Sequence, residues 1–126
     1  MNGYLLDTHV ALWWLQEPAM IREGAIEAIR DSGEPLWTSV AALWEMAIKR
    51  ALKRLTYPAD IVHLLELDSI DILLLTPSHA LAVADLPLLH GDPFDRVQVV
   101  QARAEGLTLV TRDEQLAAYG VPILRA

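Results

Sequence analysis

The sequence predicts a three-layer α/β fold, with a mostly parallel central sheet covered by helices on both faces. Two observations carry this. Short apolar runs alternate with longer stretches whose apolar residues recur at three- and four-residue spacing, so consecutive strands must be joined by helical crossovers. Gly and Pro fall between these segments rather than inside them, which keeps each segment intact. With 126 residues, 53% apolar and 21% charged, the chain is long enough for one core, and a single domain over residues 1–126 is expected.

The elements follow in order. Residues 3–7 are a short apolar run ending in Asp7, feeding a helix over 8–16. Pro18 fits the first turn of a second helix over about 19–32, with Ile21, Ala25, Ala28 and Ile29 on one face and Gly33 as its stop. Residues 36–38 form a second strand. Ser39 caps a helix over 40–53 whose Val40, Leu43, Trp44, Ala47, Ile48 and Ala51 make one apolar stripe. A shorter helix follows Pro58, and 72–75 form a third strand. Thr76 and Pro77 open a helix to about Asp85, and residues 86–91 then form a loop. Asp92 and Pro93 start a helix that runs to Glu105 and stops at Gly106. A strand over 107–111, a helix over 113–119 and a last strand over 121–124 complete the chain.

Composition excludes several chemistries. With no cysteine there is no disulfide scaffold, thiolate zinc site, iron–sulfur cluster or cysteine nucleophile. The longest uncharged stretch, residues 72–84, is interrupted by Pro77 and falls short of the ~20 apolar residues that span a bilayer. No basic segment precedes the first apolar run, so a cytoplasmic protein without a membrane role is expected. Seventeen acids against ten bases leave a net charge of −7, so any nucleic-acid contact must be local rather than spread over a positive face.

In a parallel sheet, ligands bind at the carboxyl ends of strands, and two of the residues there are Asp7 and Asp113. Each could serve only as a helix cap, but both would sit on one edge of the sheet. Asp95 lies at the third position of the helix opened by Asp92 and Pro93, where an acid suits the helix dipole. The apolar run behind it, Val97, Val99, Val100 and Ala102, holds that helix start in place. Glu45 sits at the edge of its helix's apolar stripe, with Lys49 one turn on as an ion-pair partner. Four carboxylates from four elements would repel one another without a cation, and a hard divalent ion is the natural partner of oxygen ligands. Such an ion activates water and stabilises a leaving alkoxide, the requirements of phosphodiester hydrolysis.

These blocks resemble a known pattern. Leu6-Asp7-Thr8-His9 with Trp13-Trp14, Ser39 through Trp44-Glu45 to Lys49, Asp92-Pro93-Phe94-Asp95-Arg96 with Gln101-Ala102, and Leu109-Val110-Thr111-Arg112-Asp113 are similar to the PIN-domain VapC toxin ribonucleases of bacterial type II toxin–antitoxin systems. The resemblance covers nearly the whole chain and implies a PIN-like fold and an Mg²⁺- or Mn²⁺-dependent endoribonuclease. It implies Asp7, Glu45, Asp95 and Asp113 as catalytic and metal-binding residues, with Thr8 and Thr111 supporting them by hydrogen bonds. A homodimer and a VapB-like antitoxin that blocks the site are implied as well.

Lys49, Arg50, Lys53 and Arg54 bring four of the ten bases into six positions near Glu45. They complement a helix C-terminus, and beside an RNA site they could position phosphates. Trp13 and Trp14 are expected to be half-buried. Of the four histidines, His9, His63, His79 and His90, none is spaced as a ligand pair, and only His9 is expected near the site. A haloacid-dehalogenase-type phosphatase would need an aspartate where His9 stands, a receiver-like phosphoacceptor lacks its acidic pair, and Gly-x-x-x-x-Gly-Lys, Gly-x-Gly-x-x-Gly and Gly-x-Ser-x-Gly are absent. The remaining alternative is a PIN-like module that binds RNA or protein without cleaving.

Overall fold

A computed structural model describes residues 2–126. Five strands, β1 (Tyr4–Leu6), β2 (Leu36–Ser39), β3 (Ile70–Leu73), β4 (Thr108–Thr111) and β5 (Ile123–Arg125), form one sheet in the order β3-β2-β1-β4-β5. Every pairing is parallel. Six helices connect them: α1 (Thr8–Gln16), α2 (Glu23–Ser32), α3 (Val40–Ala51), α4 (Ile61–Leu67), α5 (Pro77–Ala82) and α6 (Pro93–Glu105).

Alternation along the strands divides the interior in two. Leu6 and Val110 enter one cluster with residues of α1, α2, α3 and α4, while Leu5 and Leu109 enter the other with Val99 and Val100 of α6. The sheet is therefore buried on both faces, as its apolar strands require. At the first strand, Gly3 has φ +140°, and a Cβ there would lie 2.6 Å from the Pro35 carbonyl oxygen, so only glycine lets the chain enter β1 against β2.

Chain direction decides where the site lies. From β1 the chain steps outward through β2 to β3, then returns through α5 and α6 to β4 on the other side of β1. The helices leaving β1 and β4 consequently diverge, and a crevice opens at the carboxyl ends of those two strands.

Four expectations need correction. The second helix begins at Glu23, not near residue 19, because Pro18–Met20 is a 3₁₀ turn and buried Ile21 is extended. β3 starts two residues early, at Ile70, because Ser69 in a left-handed turn ends α4 and Ile70 pairs with Leu36; Leu74 already projects into solvent. Glu114–Tyr119 is 3₁₀ rather than α. On α3, which ends at Ala51, the buried face is Ala41, Ala42, Glu45 and Met46, whereas Trp44 and Ile48, and Leu52 just past its end, are exposed. Ala41 and Ala42 let α3 pack closely against α1 and α6, and of its larger apolar residues Met46 turns inward while Trp44 and Ile48 turn outward.

Candidate active site

Each acid reaches the crevice through a local constraint. Asp7, just past β1, donates its backbone N–H to Val110 O at 3.0 Å, and its Oδ1 accepts the Val10 N–H at 3.0 Å. It thereby caps α1 while facing the crevice. Asp113 does the same after β4, its Oδ1 accepting from the Gln115 N–H at 3.0 Å and its own N–H donating to Thr111 Oγ1 at 3.1 Å. At α6 the cap is Asp92, whose Oδ1 accepts from the Phe94 and Asp95 N–H groups at 2.8 and 3.1 Å. That leaves the Asp95 carboxylate free at the helix start.

Glu45 is the deepest of the four, only 5% exposed. Its Oε1 accepts the Thr8 hydroxyl at 2.5 Å and its Oε2 the Lys49 ammonium at 2.7 Å. Gln98, fully buried on α6, donates to Thr8 Oγ1 at 3.4 Å, so a chain of side chains from α6 and α1 orients the carboxylate. Asp7, Glu45, Asp95 and Asp113 line one cavity of about 220 Å³, together with Thr8, His9, Trp13, Lys49 and Thr111.

Crowding leaves an electrostatic signature. Burial pushes Asp95 up from 3.8 to about 7, reinforced by the charges of Asp92, Asp7 and Glu45 and opposed by His90. Burial also raises Asp7, while the Thr111 hydroxyl and the Val10 N–H work against the rise. Thr8 and Thr111 thus touch the acids they were expected to support.

His90 was missed by sequence reasoning. Its Nε2 lies 2.8 Å from Asp113 Oδ2 and 3.7 Å from Asp95 Oδ2. Ligand atoms of His90, Asp95 and Asp113 all fall within 4.8 Å of one another. The expectation that only His9 approaches the site is therefore corrected: residues 86–91 fold back over the start of α6 because buried Arg96 binds the carbonyls of Val83, Leu86 and Pro87. The available signal was position, two residues before the helix cap. His79 is structural, buried in a capping box with Thr76 and 3.0 Å from Glu105, and His63 is exposed.

The basic cluster divides. Lys49 is drawn into the cavity by Glu45, and Arg50 lies over the Tyr57 ring at 4.5 Å. Lys53 and Arg54 lie beyond the end of α3, and no carboxylate of the described residues pairs with either.

A parallel sheet with an acid-lined crevice at its switch point defines the class of PIN-type α/β domains, and the PIN-domain family profile matches residues 4–122. Ribonuclease VapC22 of Mycobacterium tuberculosis (strain ATCC 25618 / H37Rv) is 31% identical over 125 residues, covering 97% of this chain and 95% of that protein. The chain belongs to the PIN-domain family, among its VapC ribonucleases. Two solved structures share the fold: VapBC2 from Rickettsia felis bound to a promoter DNA fragment, at TM-score 0.72 and 15% identity, and DNA-bound VapBC from Salmonella typhimurium, at 0.70 and 17%. In each case 99% of this chain and 98% of the other are covered. No helix among the described residues is long and apolar enough to cross a membrane.

Proposed function

We propose that this chain is a divalent-metal-dependent endoribonuclease toxin, held in check by a VapB-like antitoxin. The observation that carries this is the meeting of Asp7, Glu45, Asp95 and Asp113 in one cavity. The donor set fits Mg²⁺ or Mn²⁺: all oxygen, multiply acidic, with Asp95 pushed up to about 7 by burial and by neighbours that a cation would neutralise. Asp7, Asp95 and Asp113 would hold the ion with Glu45 beside it, and the ion would supply Lewis acidity and an activated water.

The chain's own residues do the rest. Glu45, oriented by Thr8 and charge-balanced by Lys49, is placed to accept a proton from a water entering the cavity. Lys49, one-third exposed at the rim, can offer its ammonium to a phosphate oxygen. The Asp7 and Asp113 carboxylates are held by backbone N–H groups, so they need no reorganisation when substrate arrives.

Partners follow from surface left over. Trp44 and Ile48 on α3 and Leu52 just past it remain exposed, an apolar face that a homodimer partner or an antitoxin would cover. The solved relatives are named as VapBC complexes. Light scattering on the purified chain should give twice its 14.0 kDa mass.

Thermal unfolding tests the metal site. Wild type should melt higher as Mn²⁺ replaces EDTA, and Asp95→Asn should not respond, because an ion that binds only the folded state must raise Tm. If neither protein responds at millimolar metal, the acids are caps and ion-pair partners, and a non-catalytic binding module takes the nuclease's place.

A further inference from the structure

The acid-lined cavity does not end at the acids. A second groove of about 370 Å³ shares His9 and Trp13 with it, and continues along the turn after α3 past Lys53 and Arg54. Its lining also includes one acid, Glu17. We propose that this groove takes an unpaired segment of the RNA substrate, with a base against the His9, Trp13 and Arg112 layer and the neighbouring phosphates on Lys53 and Arg54. This deepens the nuclease reading and rests on it.

Three observations converge here. First, Lys53 and Arg54 are the members of the basic cluster that no carboxylate or ring of the described residues engages, in a chain whose net charge of −7 repels polyanions elsewhere. Second, Lys53 adopts φ +58°, the left-handed conformation that a helix C-terminus usually gives to glycine. A lysine here costs backbone strain that glycine would not, and it lines the groove. Third, planar groups meet at the junction of the two cavities: the Arg112 guanidinium lies 4.1 Å from the Trp13 ring centre, and the ring of exposed His9 stands 5.7 Å from it, tilted by 44°. Aromatic and guanidinium planes beside a cationic groove are how proteins hold single strands, whose bases are free to stack. A duplex offers no free base face to such a layer, so the substrate segment must be unpaired.

The test is a salt titration of RNA binding by fluorescence anisotropy, using a labelled single-stranded ribodecamer, the same decamer in duplex, and metal-free Asp95→Asn as the non-cleaving background. Adding Lys53→Gly and Arg54→Gln should weaken single-strand binding about tenfold and lower the slope of log K against log salt by about 0.7 for each phosphate no longer neutralised. Lys53→Gly relieves the left-handed strain, so Tm should not fall. In an otherwise wild-type background, the two substitutions should leave the Mn²⁺-induced rise in Tm intact. Adding His9→Ala instead should weaken single-strand binding with the slope unchanged, since stacking carries no counterion term. If affinity and slope ignore Lys53 and Arg54 while wild type still takes Mn²⁺, the groove assignment is overturned and the nuclease reading stands. Equal binding of duplex and single strand also overturns it. Absence of both Mn²⁺ response and RNA binding in wild type overturns both readings.

Discussion

His90 and Asp113 are joined across the mouth of the cavity: Nε2 of the imidazole lies 2.8 Å from Oδ2 of the carboxylate, and Nδ1 accepts the Asp92 backbone N–H at 3.2 Å. The ring is thus held at both nitrogens, with Nε2 turned onto the Asp113 carboxylate. The histidine therefore fixes the orientation of the Asp113 carboxylate. Asp113 Oδ1 is already committed to the Gln115 N–H, so both its oxygens are held.

His90→Ala should accordingly weaken Mn²⁺ binding by about tenfold while the fold persists, the usual cost of losing a group that orients a ligand. The midpoint of the Mn²⁺-dependent rise in Tm reads this directly. An unchanged midpoint would mean that Asp113 needs no such support.

The raised acids make a pH prediction for the metal-free protein. Asp95 is ordinary, near 3.8, when unfolded and about 7 when folded, so the folded state holds its proton more tightly. Stability associated with Asp95 is fully present below about pH 3.8 and is lost as pH rises toward 7, with Asp7 acting in the same direction. At ~1.4 kcal/mol per pH unit the loss is on the order of 4 kcal/mol. In EDTA, Asp95→Asn should reduce this decline, leaving the part due to Asp7, and be the more stable protein above pH 7, as measured by urea unfolding across pH.

Glu45→Gln keeps the shape of the side chain and its bond from Thr8 but removes the charge that Lys49 balances. RNA cleavage should fall by about 10²–10⁴-fold, the range expected when a general base is lost. Single-turnover cleavage of a labelled RNA is the measurement, and residual cleavage near wild-type levels would assign the base elsewhere.

Arg96 is buried with its guanidinium bound to three backbone carbonyls and 3.4 Å from the Tyr119 hydroxyl. Arg96→Lys cannot reach them all, so the variant should lose about 2–4 kcal/mol. Hydrogen exchange should rise first in residues 83–91. Loss of stability without that local change would contradict a role in holding the loop.

How much of this was legible in the sequence varies with the range of the interaction involved. The caps Ser39, Asp92 and Thr76, and the stop glycines Gly33 and Gly106, stand where they were expected because each acts on backbone groups within a few residues. The four acids were legible because three follow strand ends or open a helix, positions that local pattern marks. Periodicity misjudged α3, since it ranks side chains by hydropathy and cannot sense how closely two helices approach. Ala41, Ala42 and Met46 are buried there, and Trp44 packs edge-on against Phe94 on the outside.

By itself, then, the sequence determined the alternation of strands and helices, the parallel sheet, and which acids lie at strand and helix ends, because local hydrogen bonding and side-chain period decide those. Tertiary structure alone decided that His90 meets Asp113, that Glu45 faces the cavity from the buried side of α3, and that Lys53 and Arg54 adjoin Trp13. These pairs are brought together by loops and packed helices far apart in the chain, where proximity depends on how the whole core closes and no short-range pattern records it.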